Sequence, residues 1–109
     1  MEQKEFLEKN IFTGLENIND GFDKVDTFYF SESDFATVLE RAEYFGLSIY
    51  TIQARLEGEV FGASGHEKAK KKATDAKWYT KTFADFKKGQ EGLAYTATYK
   101  VSKKLLERE

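Results

Sequence analysis

Residues 24–56, KVDTFYFSESDFATVLERAEYFGLSIYTIQARL, decide the fold of this chain. Val25 to Phe30 is β-branched and aromatic, the composition of a half-buried strand. Ser31 or Ser33 then stands where a helix needs an oxygen acceptor for its first free N–H groups. Phe35, Val38, Leu39, Ala42 and Phe45 follow at helical spacing. Gly46 ends that helix, and Leu47 to Leu56 reads as a second extended run. Strand, helix, strand implies a parallel pair with a right-handed crossover.

Upstream, Leu7, Ile11, Leu15 and Ile18 lie at steps of four, four and three, which predicts a helix over about 2–20, stopped by Gly21. This helix covers the domain or contributes to a dimer. Downstream, Glu57-Gly58-Glu59 reads as a tight turn into a short strand from Val60 to Ala63. Ser64 followed by Glu67 fits the capping-box pattern and opens a helix expected to reach Lys88. Its apolar line is Ala69, Ala73, Ala76, Tyr79, Phe83 and Phe86. One long helix is the expectation; a break with Asp75 as a second cap is the alternative. Leu93 to Val101 alternates with period two and predicts the last strand. The remainder, 102–109, reads as a short tail.

The element order is a helix followed by β-α-β-β-α-β. That predicts an α+β fold, a ferredoxin-like sandwich with an additional N-terminal helix, whose core spans about 24–101 of a single domain covering 1–109. In that architecture the first and third strands occupy the centre of a four-stranded sheet.

Composition narrows the functional classes. Of 109 residues, 40% are hydrophobic and 16% aromatic, enough for one packed core. Mean hydropathy is −0.62 and charged residues make up 33%, so a soluble cytoplasmic protein without membrane association is expected. The absence of cysteine removes disulfides, thiolate metal sites and thiol nucleophiles. A net charge of −2 argues against nucleic acid binding driven by overall charge. His66 has no partner motif for acid–base work, and no metal or other cofactor is expected. The segment GEVFGASG (58–65) matches neither a phosphate loop nor a dinucleotide fingerprint. An enzyme relying on carboxylates, tyrosines and His66 therefore ranks last among the readings.

The lysines carry the strongest functional signal. On a continuous helix Lys70, Lys77, Lys81 and Lys88 fall within a narrow angular band opposite the apolar line, with Lys68, Lys71, Lys72 and Lys87 adding to the basic character. The band is either an ordinary solvated face or a docking ridge for an acidic partner or a phosphate backbone. Trp78, beside the apolar line, joins Lys70, Lys77, Lys81 and Lys88 as a candidate binding residue.

The stretch Val25-Asp26-Thr27-Phe28-Tyr29-Phe30, with Ser33-Asp34-Phe35 and Phe45-Gly46-Leu47 after it, resembles the family of the regulator of ribonuclease E activity B, over about residues 10–56. A lesser likeness to ACT-type regulatory modules covers Phe35 to Ile52. The first resemblance implies a ferredoxin-like fold and a non-catalytic, bacterial-type protein that binds and restrains a larger enzyme. The reading carried forward is a small protein that modulates or inhibits a protein partner. The alternative is a small-ligand-binding module of ACT or dimeric α/β-barrel type.

Overall fold

The computed structural model describes residues 2–107. The elements run α1 (Gln3–Phe6), continued by a π-helical turn over Leu7–Ile11, then α2 (Glu32–Phe45), β1 (Ser48–Leu56), β2 (Glu59–Gly65), α3 (Ala76–Gly89), β3 (Ala94–Lys100) and α4 (Lys103–Leu106). The three strands form one antiparallel sheet in the order β2-β1-β3. The fold is α+β, as the sequence implies. Of the expected 102–109 tail, α4 and Glu107 are described, and residues 108–109 lie outside the described residues.

Helix α2 follows its sequence signals closely. The Ser31 hydroxyl accepts from the Asp34 N–H at 3.4 Å, and Gly46 closes the helix at φ +69°, where a side chain would be strained. The Leu47 N–H then donates to the Ala42 carbonyl at 2.9 Å. Phe35, Val38, Leu39 and Ala42 are buried. Between β1 and β2 the turn residues Glu57 and Gly58 both have positive φ, 52° and 86°, the twist that a two-residue hairpin loop favours. A bulge interrupts this ladder where Gly62 pairs with Ala54 but Val60 with Arg55.

The core lies between one face of the sheet and the helices. Tyr95 on β3 is its centre: the Phe35 ring stacks on it with centroids 5.2 Å apart, and Phe83 of α3 meets it edge-on at 4.9 Å. Ile49, Ile52 and Ala54 of β1 bury the same face. Phe12 extends the aromatic cluster to Phe28, Phe30 and Tyr99.

The structure corrects three expectations. The strand expected over 25–30 contributes only one bridge, Phe30 opposite Tyr95. Bonds to residues 17–19 hold the backbone of this segment in a loop instead. The Asn19 amide donates to the carbonyls of Lys24 at 2.8 Å and Thr27 at 2.9 Å. Asn17 Oδ1 accepts from the Tyr29 N–H at 3.0 Å, and the Ile18 N–H donates to the Tyr29 carbonyl at 2.8 Å. The expected four-stranded ferredoxin-like sheet is therefore a three-stranded one, with 48–56 in the centre and 59–65 at an edge. The two expected parallel partners are also not neighbours, because β3 stands between Phe30 and β1.

The N-terminal helix stops at Ile11 rather than near residue 20. Arg41 on α2 caps it from the side, its Nη1 donating to the carbonyls of Ile11 at 2.9 Å and Thr13 at 2.7 Å, before Gly14 turns the chain at φ +78°.

The helix expected over 65–88 is confined to Ala76–Gly89, with Asp75 as its cap: Oδ1 accepts from the Lys77 N–H at 2.9 Å. Ser64 belongs to β2, opposite Ile52. The preceding backbone extends the sheet instead, the His66 N–H donating to Tyr50 and the Ile49 N–H to Ala73. Lys70, at φ +57°, adds a left-handed residue that no helix tolerates.

Candidate interaction surfaces

The confinement of α3 divides the lysine band in two. Lys77, Lys81 and Lys88 remain exposed on one face of α3, whereas Lys70 sits in the loop over 66–75. In that loop Lys68, Lys70, Lys71 and Lys72 are all exposed, and only Glu67 offsets them among residues 67–72. The loop is internally tied by the Lys71 N–H to the His66 carbonyl at 3.0 Å and the Lys70 N–H to Glu67 at 3.1 Å. Among the described residues none of these four lysines forms an ion pair, whereas Arg55 pairs with Asp23 at 3.6 Å.

His66 acts as a fastener for the loop. Its Nδ1 lies 3.0 Å from the Lys71 carbonyl, and because a carbonyl only accepts, Nδ1 carries the proton. The ring lies 5.7 Å from that of Tyr50. Nothing here forms a nucleophile–base pair, and the described residues contain no cluster of three or more metal-ligating side chains.

Trp78 is not on the surface. It is 2% exposed, packs edge-on to Tyr79, and its indole N–H is buried without a hydrogen-bond partner. A tryptophan at that depth fills core volume and offers nothing to a partner.

A second constellation, absent from the sequence-based expectations, joins the 19–29 loop to the sheet. Tyr29 is fully buried, and its hydroxyl donates to Asp23 Oδ2 at 2.6 Å while accepting from Arg55 Nε at 2.9 Å. Arg55 also donates to the carbonyls of Gly58 at 2.8 Å and Phe22 at 3.3 Å, and its guanidinium lies over the Phe22 ring. The Tyr29 hydrogen bond, then that from the Lys24 backbone N–H, hold the Asp23 carboxyl below its ordinary pKa. Burial, followed by the Asp23 bond, raises that of Tyr29. With every donor of this cluster turned inward, it anchors a loop and presents no reactive group. Only the alternation of Arg55 with buried Ala54 hinted at it, since that places Arg55 on the face opposite the helices.

That opposite face of the sheet carries Thr51, Gln53, Thr96, Thr98 and Lys100, small or polar residues suited to water. The Thr51 and Thr98 hydroxyls are 2.7 Å apart across the β1–β3 ladder. Beside the outer edge of β3 lies a cleft of about 290 Å³, between the N-terminal helix and the chain leading into Phe30. No described helix is long and apolar enough to cross a membrane. Comparison with family models, with curated proteins and with solved structures finds no match.

Proposed function

We propose that this chain is a non-catalytic binding protein that engages the acidic surface of a protein partner and modulates it. The observation that supports this most directly is the loop over 66–75, where Lys68, Lys70, Lys71 and Lys72 are exposed on a backbone fastened by His66 and lack carboxylate partners among the described residues. Clustered unneutralised charge of one sign on an ordered loop steers association with its opposite and costs little to preorganise. Lys77 and Lys81, a turn apart on α3, extend the basic surface beyond the Asp75 cap. The resemblance of residues 10–56 to the ribonuclease-regulator family supports a regulatory role. Residence in the bacterial cytoplasm belongs to the same proposal.

Binding to fluorescently labelled polyglutamate, measured by anisotropy over a salt series, tests the surface. The unmodified chain is expected to bind at low salt and to weaken steeply as salt rises. The triple variant Lys70→Glu, Lys71→Glu, Lys72→Glu is expected to lose about tenfold or more. Equal binding by both chains would remove the loop from the proposal. A preference for duplex DNA over polyglutamate would replace the protein partner with a nucleic acid.

A further inference from the structure

Antiparallel pairing turns the N–H and C=O groups of alternate residues to opposite sides of a strand. On β3 the residues facing away from β1 are revealed by their partners. Tyr95 exchanges both backbone bonds with Phe30, at 2.8 and 2.9 Å. Four residues on, the Tyr99 carbonyl accepts from Gln3 Nε2 at 3.1 Å, and Gln3 Oε1 accepts from the Val101 N–H at 2.9 Å. The Gln3 carboxamide thus substitutes for a peptide group of a neighbouring strand. Ala97 lies midway, so its N–H and C=O face the same outer side, and among the described residues neither has a hydrogen-bond partner there.

The gap at Ala97 opens into the cleft of about 290 Å³. Had the 25–30 segment continued as a strand from Phe30, Phe28 would stand opposite Ala97; it diverges instead and becomes one wall. Leu7, Phe12 and Phe28 give the cleft an apolar lining, with Gln3, Ala97 and Tyr99 at the strand edge. Lys4, Glu8 and Asp26 supply charges of both signs.

We propose that this cleft binds a short extended peptide segment by adding it to the edge of β3, with one residue paired to Ala97 and its apolar side chain against Leu7, Phe12 and Phe28. The gap selects for shortness. From Tyr95 to Tyr99 a strand spans about 13 Å, and Phe30 and Gln3 close its two ends. A single residue with its two flanking amides fits that length, and the cleft volume lies at the small end of ligand sites. The occupant is a peptide group because the same edge already holds one amide, that of Gln3, which donates to the Tyr99 carbonyl and accepts from the Val101 N–H.

Titration of the ¹⁵N-labelled chain with N-acetyl-leucine N-methylamide, followed by ¹H–¹⁵N correlation spectra, tests the site without any substitution. Saturable shifts are expected at the amides of Ala97, Phe28 and Tyr99, while Ala63 and Gly65 on the edge strand β2 remain unmoved. N-acetyl-N-methyl-leucine N-methylamide, in which the leucine N–H that meets the Ala97 carbonyl is methylated, is expected to bind about fivefold or more weakly. Phe28→Ala, at a half-buried position, is expected to weaken binding comparably while keeping a dispersed spectrum. Absence of shifts at Ala97 and Phe28 up to tens of millimolar probe would overturn the proposal. So would equal shifts along β2, the mark of unselective edge pairing.

Discussion

Phe30 and Tyr95 exchange both of their backbone hydrogen bonds, and this single bridge is all that the segment before α2 contributes to the sheet. It secures the chain at the sheet edge and places Tyr29 one residue earlier, where its hydroxyl joins Asp23 to Arg55. The loop over 19–29 is therefore held from the sheet side by a polar cluster and from within by Asn19.

That cluster makes stability depend on acid. The Asp23 pKa is lowered in the folded chain, chiefly by the Tyr29 hydrogen bond, so its contribution is present above the ordinary value of 3.8 and is lost as pH falls through the lower folded value. Removing the hydroxyl with Tyr29→Phe is expected to cost about 1–2 kcal/mol at neutral pH. The same change should flatten the loss of stability below pH 4. Urea unfolding midpoints across pH 2–7 for both chains check this; parallel curves would show that Tyr29 does not sustain the Asp23 charge.

Alkali acts through Tyr29, whose pKa is also raised, and through three further tyrosines. Burial, aided by Glu43 and Glu32 respectively, pushes Tyr79 and Tyr95 up to about 12, and burial raises Tyr99 further. Groups raised in the folded state stabilise it below the unfolded pKa and cease to do so as pH climbs toward the folded value. Stability is expected to decline above about pH 10, the ordinary tyrosine value. Absorbance at 295 nm and far-ultraviolet circular dichroism should show the last tyrosines ionising together with unfolding; their ionisation in a chain that keeps its dichroism would contradict their burial.

Two candidate caps make opposite predictions. Asp75→Ala removes the acceptor for the Lys77 N–H and is expected to destabilise by about 1 kcal/mol. Ser64→Ala alters a strand residue and should cost no more than about 0.5 kcal/mol. Thermal unfolding of both variants ranks them, and the reverse order would place the helix start at Ser64.

Trp78 provides a test of core against surface. Trp78→Ala is expected to cost about 3–5 kcal/mol through the cavity left behind. Trp78→Phe should be far milder, because it also removes an indole N–H that is buried unpaired. Chemical denaturation measures both, and a mild alanine variant would return Trp78 to the surface.

The sequence was most legible where local chemistry and burial agree. Ser31, the spacing of Phe35, Val38, Leu39 and Ala42, and Gly46 determine α2 almost unaided, because cap, apolar face and left-handed stop all lie within sixteen consecutive residues, 31–46. The alternation from Leu93 to Val101 likewise announced β3. The candidate surface was half legible: lysine content is a matter of composition, but the shared face of Lys70 with Lys77, Lys81 and Lys88 required a helix that the structure does not form.

What the chain alone determined, then, is the α+β class, α2, the hairpin and the last strand, since each is marked by a local pattern of caps, turn residues or apolar spacing. Tertiary structure decided the rest. Whether 25–30 pairs as a strand depended on Asn17 and Asn19 holding it in a loop; whether 66–74 was helical depended on Ile49 and Tyr50 drawing it into the sheet. Strand order, the Tyr29–Asp23–Arg55 cluster and the gap at Ala97 arise from groups far apart in the chain. Periodicity reports which face a residue prefers, but not which distant donor or acceptor will reach its backbone first.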